Sequence, residues 1–82
     1  MNGTFKNQTS GTTWVFATTE DIPTTIIRAG TPVDIIHAQA GYAVVTVNGN
    51  LKVFRWNGTD IIQTQYWAES TTDPYTDVFK KQ

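Results

Sequence analysis

Residues 30–62, GTPVDIIHAQAGYAVVTVNGNLKVFRWNGTDII, place two Asn-Gly pairs, Asn48-Gly49 and Asn57-Gly58, nine residues apart inside an apolar pattern of β type. A type I′ turn needs positive φ at both central positions, which Asn tolerates and Gly adopts freely. Each pair therefore reads as a hairpin tip, and the stretch as an antiparallel meander. At the first tip a strict two-residue turn pairs Val44 with Val53 and Thr46 with Leu51. A three-residue turn that takes in Asn50 would instead pair Val45 with Val53. At the second tip a two-residue turn sets Trp56 opposite Thr59, Arg55 opposite Asp60 and Phe54 opposite Ile61. That register matches opposite charges and apolar pairs, each worth roughly 0.2–1 kcal/mol over alanines.

Upstream of the meander, Thr12 to Thr18 alternates Trp14 and Phe16 with Val15 and Ala17, which suits a first strand covered on both sides. Glu20 to Pro23 interrupts it, because proline fixes φ and lacks an amide proton; Thr24 to Arg28 follows as a short strand. Ala29-Gly30-Thr31-Pro32 signals a tight turn. From Val33 to Ala38, strict alternation puts Val33, Ile35 and His37 on one side and Asp34, Ile36 and Ala38 on the other. Gly41 opens the next strand, and Gln63 to Ala68 suits a final strand carrying Tyr66 and Trp67.

The two ends read differently. Residues 1–11 hold a single apolar anchor, Phe5, among polar residues and glycine, which predicts a mobile arm unless a partner or the barrel captures Phe5. In residues 69–82, Asp73 can cap, Pro74 suits a first helical position, and Tyr75, Val78 and Phe79 recur at helical spacing before Lys80-Lys81. That pattern predicts a linker and a short C-terminal helix beside a β-barrel domain over residues 12–68.

Eighty-two residues support one domain with one small core, and the prior is a single all-β barrel or sandwich. Six Lys and Arg stand against seven Asp and Glu, and they are scattered along the chain. A nucleic-acid partner is not expected, since phosphate binding wants clustered cations. With no cysteine, disulfides and thiolate chemistry are excluded. No signal-peptide core and no run long enough for a bilayer is present, so synthesis in the cytoplasm and no membrane partner are expected. Charged residues make up 16% of the chain, below the roughly 25% usual for soluble domains, and Thr is abundant. A surface with few charges costs less to desolvate against a neighbour.

From Ala29 to Trp56 the order of features resembles the bacterial SH3-like domains: Gly30-Thr31-Pro32-Val33, then Gly41-Tyr42 with Val44, then Asn48-Gly49 and Trp56. Tyr42 stands where that pattern usually has tryptophan, Arg55 stands where glycine precedes the final tryptophan, and the Asn-Val-Arg opening is absent. The resemblance covers about a third of the chain. It implies a small antiparallel barrel of five to six strands that binds peptide, cell-wall glycopeptide or another protein through an aromatic groove.

Candidate chemistry is sparse. His37 is the lone histidine, and Asp34, its nearest carboxylate in sequence, falls on the opposite strand face, so no catalytic or metal site is expected. Ser10 and Ser70 sit in no nucleophile pattern. Glu20-Asp21 reads as a solvated loop and Asp73 with Asp77 as helix capping. No calcium loop or phosphate-cradling glycine motif occurs, and no cofactor is expected. What remains is aromatic. Most rings must fill the core of so small a barrel, and Tyr42, Trp56, Tyr66 and Trp67 stand out as surface binding candidates. Phe5 on the arm and Tyr75, Val78 and Phe79 on the helix stand out as docking anchors.

The expected function is that of a non-enzymatic protein–protein interaction or assembly subunit, self-associating or part of a larger assembly such as a phage capsid or tail. The alternatives are a monomeric SH3-like module for peptide or peptidoglycan, and a small inhibitor of a host enzyme. On this reading, deleting residues 1–10 or 73–82 abolishes assembly and spares the barrel.

Overall fold

The computed structural model describes residues 2–65 and 75–82. Its strands are β1 (Gly3–Asn7), β2 (Thr13–Thr19), β3 (Ile22–Arg28), β4 (Thr31–Pro32), β5 (Asp34–Gln39), β6 (Tyr42–Val47), β7 (Asn50–Trp56), β8 (Ile61–Gln65) and β9 (Tyr75–Lys81). All pairings are antiparallel, in the order β4-β3-β2-β1-β9-β8-β7-β6-β5. The sheet curls until β3 lies against β5 and β6, so the architecture is an all-β, nearly closed barrel. Val33 N donates to Ile26 O at 3.0 Å and Gly41 N to Asp21 O at 2.9 Å, which stitches the two ends of the β3–β5 seam.

Nine strands replace the expected five to six: β1 and β9 are added at the chain ends, and the two-residue β4 forms where only a tight turn was expected. The N-terminal segment is no arm: β1 pairs with β2 on one side and β9 on the other, and Phe5 is buried. The C-terminal segment is no helix: β9 pairs residue by residue with β8 and, over Phe79 to Lys81, with β1. Tyr75, Val78 and Phe79 fit helical spacing, but Asp77 and Phe79 are both buried, the period-two mark of a strand. The gain that overrides local propensity is closure, because either terminal strand alone would leave a row of unpaired amides and carbonyls. The proposed cap at Asp73-Pro74 lies outside the described residues.

The first Asn-Gly tip closes as a two-residue turn, with Asn48 at φ 51° and Gly49 at φ 81°. Val44 faces Val53 and Thr46 faces Leu51, which selects the tighter of the two registers. The second tip differs from expectation. Trp56 faces Ile61 and Phe54 faces Gln63, so four residues, Asn57 to Asp60, form the loop. Asn57 explains the wider turn: its Oδ1 accepts from Thr59 N at 3.1 Å and Asp60 N at 2.9 Å, a side-chain turn that competes with the tight one. Asp60 then pairs with Lys80 at 2.9 Å rather than with Arg55. A slip of two residues keeps every side chain on its own face, so Phe54 and Ile61 still point inward.

Two bulges tune the curl. On β3, Ala17 faces Thr25 but Thr18 faces Pro23, leaving Thr24 unmatched. Thr24 Oγ1 donates to Ala17 O at 3.1 Å, close to where proline has no amide proton to offer. On β5, Ile35 faces Val45 and His37 faces Val44, so Ile36 is extruded and exposed. This bulge breaks the strict alternation expected of Val33 to Ala38.

The core gathers Phe5, Trp14, Phe16, Ile26, Ala43, Val45, Phe54, Ile61 and Phe79. Its centre is aromatic: Phe54 meets Trp14, Phe16 and Phe79 edge to face at centroid distances of 5.1, 5.5 and 5.5 Å. Edge-to-face pairs of this kind add roughly 0.5–1.5 kcal/mol beyond area burial.

Candidate functional site

The barrel interior has two layers, and sequence alternation builds both. Phe5, Ile26, Phe54, Ile61 and Phe79 are core residues, and two positions along the same strands stand Asn7, Arg28, Lys52, Gln63 and Asp77. Period two sends both members of each pair inward, so the polar set crowns one end of the aromatic layer. Register aligns them across strands, with Gln63 opposite both Phe54 and Asp77, and Arg28 opposite Trp14. They enclose a cavity of about 130 Å³ that borders Trp14.

The cluster is tightly connected at its acidic side. Asn7 Nδ2 donates to Asp77 Oδ2 at 2.8 Å, and Asn7 Oδ1 accepts from Thr9 N at 2.8 Å and Ser10 N at 3.0 Å. Asn7 thereby holds the β1–β2 turn and orients the carboxylate at once. Arg28 lies over the Trp14 ring, 5.9 Å from its centroid, a cation–π contact that fixes the guanidinium at the cavity wall. Gln63 is 1% exposed, and its Nε2 has no hydrogen-bond partner among the described residues. Leaving such a donor unmade costs about 1–3 kcal/mol.

Burial pushes the Lys52 ammonium below its ordinary value of 10.5; repulsion from Arg28 pushes the same way, and Asp77 opposes them. The folded chain therefore releases this proton more readily than the unfolded one. Unfolding takes up a proton between the lowered folded value and 10.5, so Lys52's contribution to stability rises with pH across that window. Urea midpoints measured in pH steps should show wild type gaining on Lys52→Met as pH climbs toward 10.5. A gap that stays constant with pH would contradict the assignment.

A second, more open cavity of about 320 Å³ lies between β4 and β6, lined by Arg28, Thr31, Pro32, Asp34, Thr46 and Asn48 among others. Arg28 borders both cavities.

The residues singled out by sequence are dispersed. Phe5 and Phe79 are core, so neither can anchor a docked partner without unfolding the barrel. Tyr42 is half-buried opposite Arg55, with its ring 6.1 Å from His37 and edge-on to it. Trp56 follows Arg55 and so faces the other side of the sheet, packed against the core; Tyr42 and Trp56 do not share a groove. Val78 is half-buried opposite Ile62. Tyr75 opens β9, while Tyr66 and Trp67 lie outside the described residues. His37 is exposed, and the described residues contain no group of three His, Cys, Asp or Glu placed to hold a metal ion.

Sequence reasoning missed the polar crown. Its signal was a polar residue two positions from each buried ring or aliphatic, at the same barrel end on five strands, which becomes visible only once register is known.

The outer wall carries a different feature. On the β2–β3 hairpin the outward positions are Thr13, Val15, Ala17 and Thr19 on β2 and Ile22, Thr25 and Ile27 on β3, none of them charged. Val15 is 40% and Ile22 38% exposed. The row continues sideways from Val15 to Thr4 on β1 and from Ile27 to Pro32 on β4. Charge lies at its borders: Lys6 on β1 stands opposite Thr13 and faces Lys80 on β9, and Glu20-Asp21 form the turn between β2 and β3.

Comparison of the chain with protein-family models, with characterised proteins and with solved structures gave no match.

Proposed function

We propose that the protein is a non-enzymatic interaction subunit that docks through the uncharged outer face of the β2–β3 hairpin, with a second copy of the chain as occupant. The observation that carries this reading is that face: a band from Thr4 through Val15 and Ile27 to Pro32, with Ala17 and Thr25 beside it and no charge of either sign. Two copies meeting face to face on a two-fold axis would place no like charges together and would desolvate only hydroxyls and apolar groups. The band is narrow beside the roughly 800 Å² per partner of a standard interface, so association is concentration-dependent. The arm and helical stripe that pointed to a virion assembly are strands of the barrel itself; the charge-poor surface is the part of that argument that remains.

Val15→Lys puts a cation at the centre of the band without touching the core. Light scattering coupled to size exclusion over a wide concentration range should show wild type rising toward dimer mass and Val15→Lys staying monomeric with an unchanged melting temperature. Identical masses for the two chains at every concentration would overturn the reading.

The end cavities favour a second reading, a recognition module of the kind the SH3-like resemblance suggests, with Arg28 and Lys52 rather than the aromatics as its contacts.

A further inference from the structure

We propose that the polar crown of the barrel is a binding site for one carboxylate group, held by Gln63 Nε2, the Lys52 ammonium and the Arg28 guanidinium above the Trp14 ring. The inference stands apart from docking through the outer wall, since it concerns the interior end of the barrel. Three observations carry it.

The first is the orphaned donor. Gln63 lies at the cavity wall with Nε2 shielded from solvent and nothing to receive its protons. Buried amides are almost always paired, so an acceptor belongs in the cavity. The second is charge. Arg28 and Lys52 bring two positive charges and Asp77 one negative, which leaves one cation in excess. A monoanion balances that set; a divalent cation would meet two cations and a carboxylate already bonded to Asn7. The third is size. About 130 Å³ accommodates a carboxylate and one or two carbons, given that a water occupies about 30 Å³ in the liquid. The donors match the ligand class as well: a guanidinium fork and an ammonium both give charge-assisted bonds to a carboxylate. Burial first, and repulsion from Arg28 second, hold the Lys52 ammonium below its ordinary value, and a carboxylate bound beside it would act against both.

The carboxylate can belong to a free small acid or to the C-terminus of a peptide, whose chain would leave past Arg28 into the larger cavity. The probes are acetate, N-acetylglycylglycine, its terminal amide, and chloride, titrated at constant ionic strength into the isotopically labelled full chain. The side-chain amide signal of Gln63 is the readout. We expect a saturable shift with acetate and with the dipeptide acid, and none with the amide or chloride. Tighter binding of the dipeptide acid assigns a peptide terminus; equal binding assigns a free acid.

Lys52→Met should weaken binding about tenfold or more, the loss of one charge-assisted contact. Should that variant unfold, Gln63→Met serves instead. It removes the orphaned donor, so it should melt no lower than wild type while losing the acetate response, read in both chains at the indole N–H signal of Trp14 on the cavity wall, a combination that a purely structural glutamine would not give. No saturable shift with either acid, or an equal response to the amide or to chloride, overturns the proposal and leaves the crown as a water-filled polar cap.

Discussion

Deleting residues 1–7 is expected to leave a chain with no cooperative thermal transition and collapsed amide dispersion. β1 sits between β2 and β9, so its removal opens two edges in the middle of the sheet and takes Phe5 out of the core. It also strips Asp77 of its Asn7 donor, leaving a buried carboxylate short of a hydrogen bond. A segment that merely decorated the barrel could be lost with a shift of a few degrees. Circular dichroism melts of the truncated and full chains decide between these. A truncated chain that melts cooperatively near the wild-type temperature would refute the nine-strand closure.

The next largest effect belongs to Phe54→Ala. Phe54 is fully buried and touches Trp14, Phe16 and Phe79, three rings delivered by two other strands. Truncating a buried Phe costs about 3–5 kcal/mol through lost transfer energy and the cavity left behind. An 82-residue domain has a total stability of about 4–12 kcal/mol, so this one change removes from about a quarter of it to all of it. Urea unfolding should place the variant's midpoint far below wild type, or find it unfolded without denaturant. A loss under about 1 kcal/mol would mean that the aromatic layer is not the centre of the core.

How much of this was legible in the sequence follows from where the information is local. Asn48-Gly49 states its own turn, because the φ values it needs belong to those two residues, but the sequence left two registers open and the structure selects the tight one. Trp14 and Phe16 state through alternation alone that they share a face, but the cover expected over the opposite face is absent, since Val15 and Ala17 are exposed. At Asn57-Gly58 the same dipeptide gave the wrong loop length, since the Asn57 side chain had a backbone alternative that an apolar pattern does not record. The chain ends failed for a deeper reason. β1 and β9 pair with each other across the whole length of the chain, and neither shows its partner in its own residues. Phe5 looked solitary and Tyr75, Val78 and Phe79 looked helical until closure supplied the missing neighbour. The polar crown was hidden in the same way: Arg28 and Lys52 read as scattered charges and Asp77 as part of a helix cap, and they become a cluster only around a closed barrel.

The proposed function turns on whether the β2–β3 face meets a second copy of itself. Backbone amide spectra of the labelled chain, recorded on serial dilution from high concentration, test that residue by residue. The account predicts concentration-dependent shifts at Thr4, Val15, Ala17, Thr25 and Ile27, with the Asn48-Gly49 tip unmoved. Spectra that superimpose at every concentration, or shifts confined to other faces of the barrel, would contradict it.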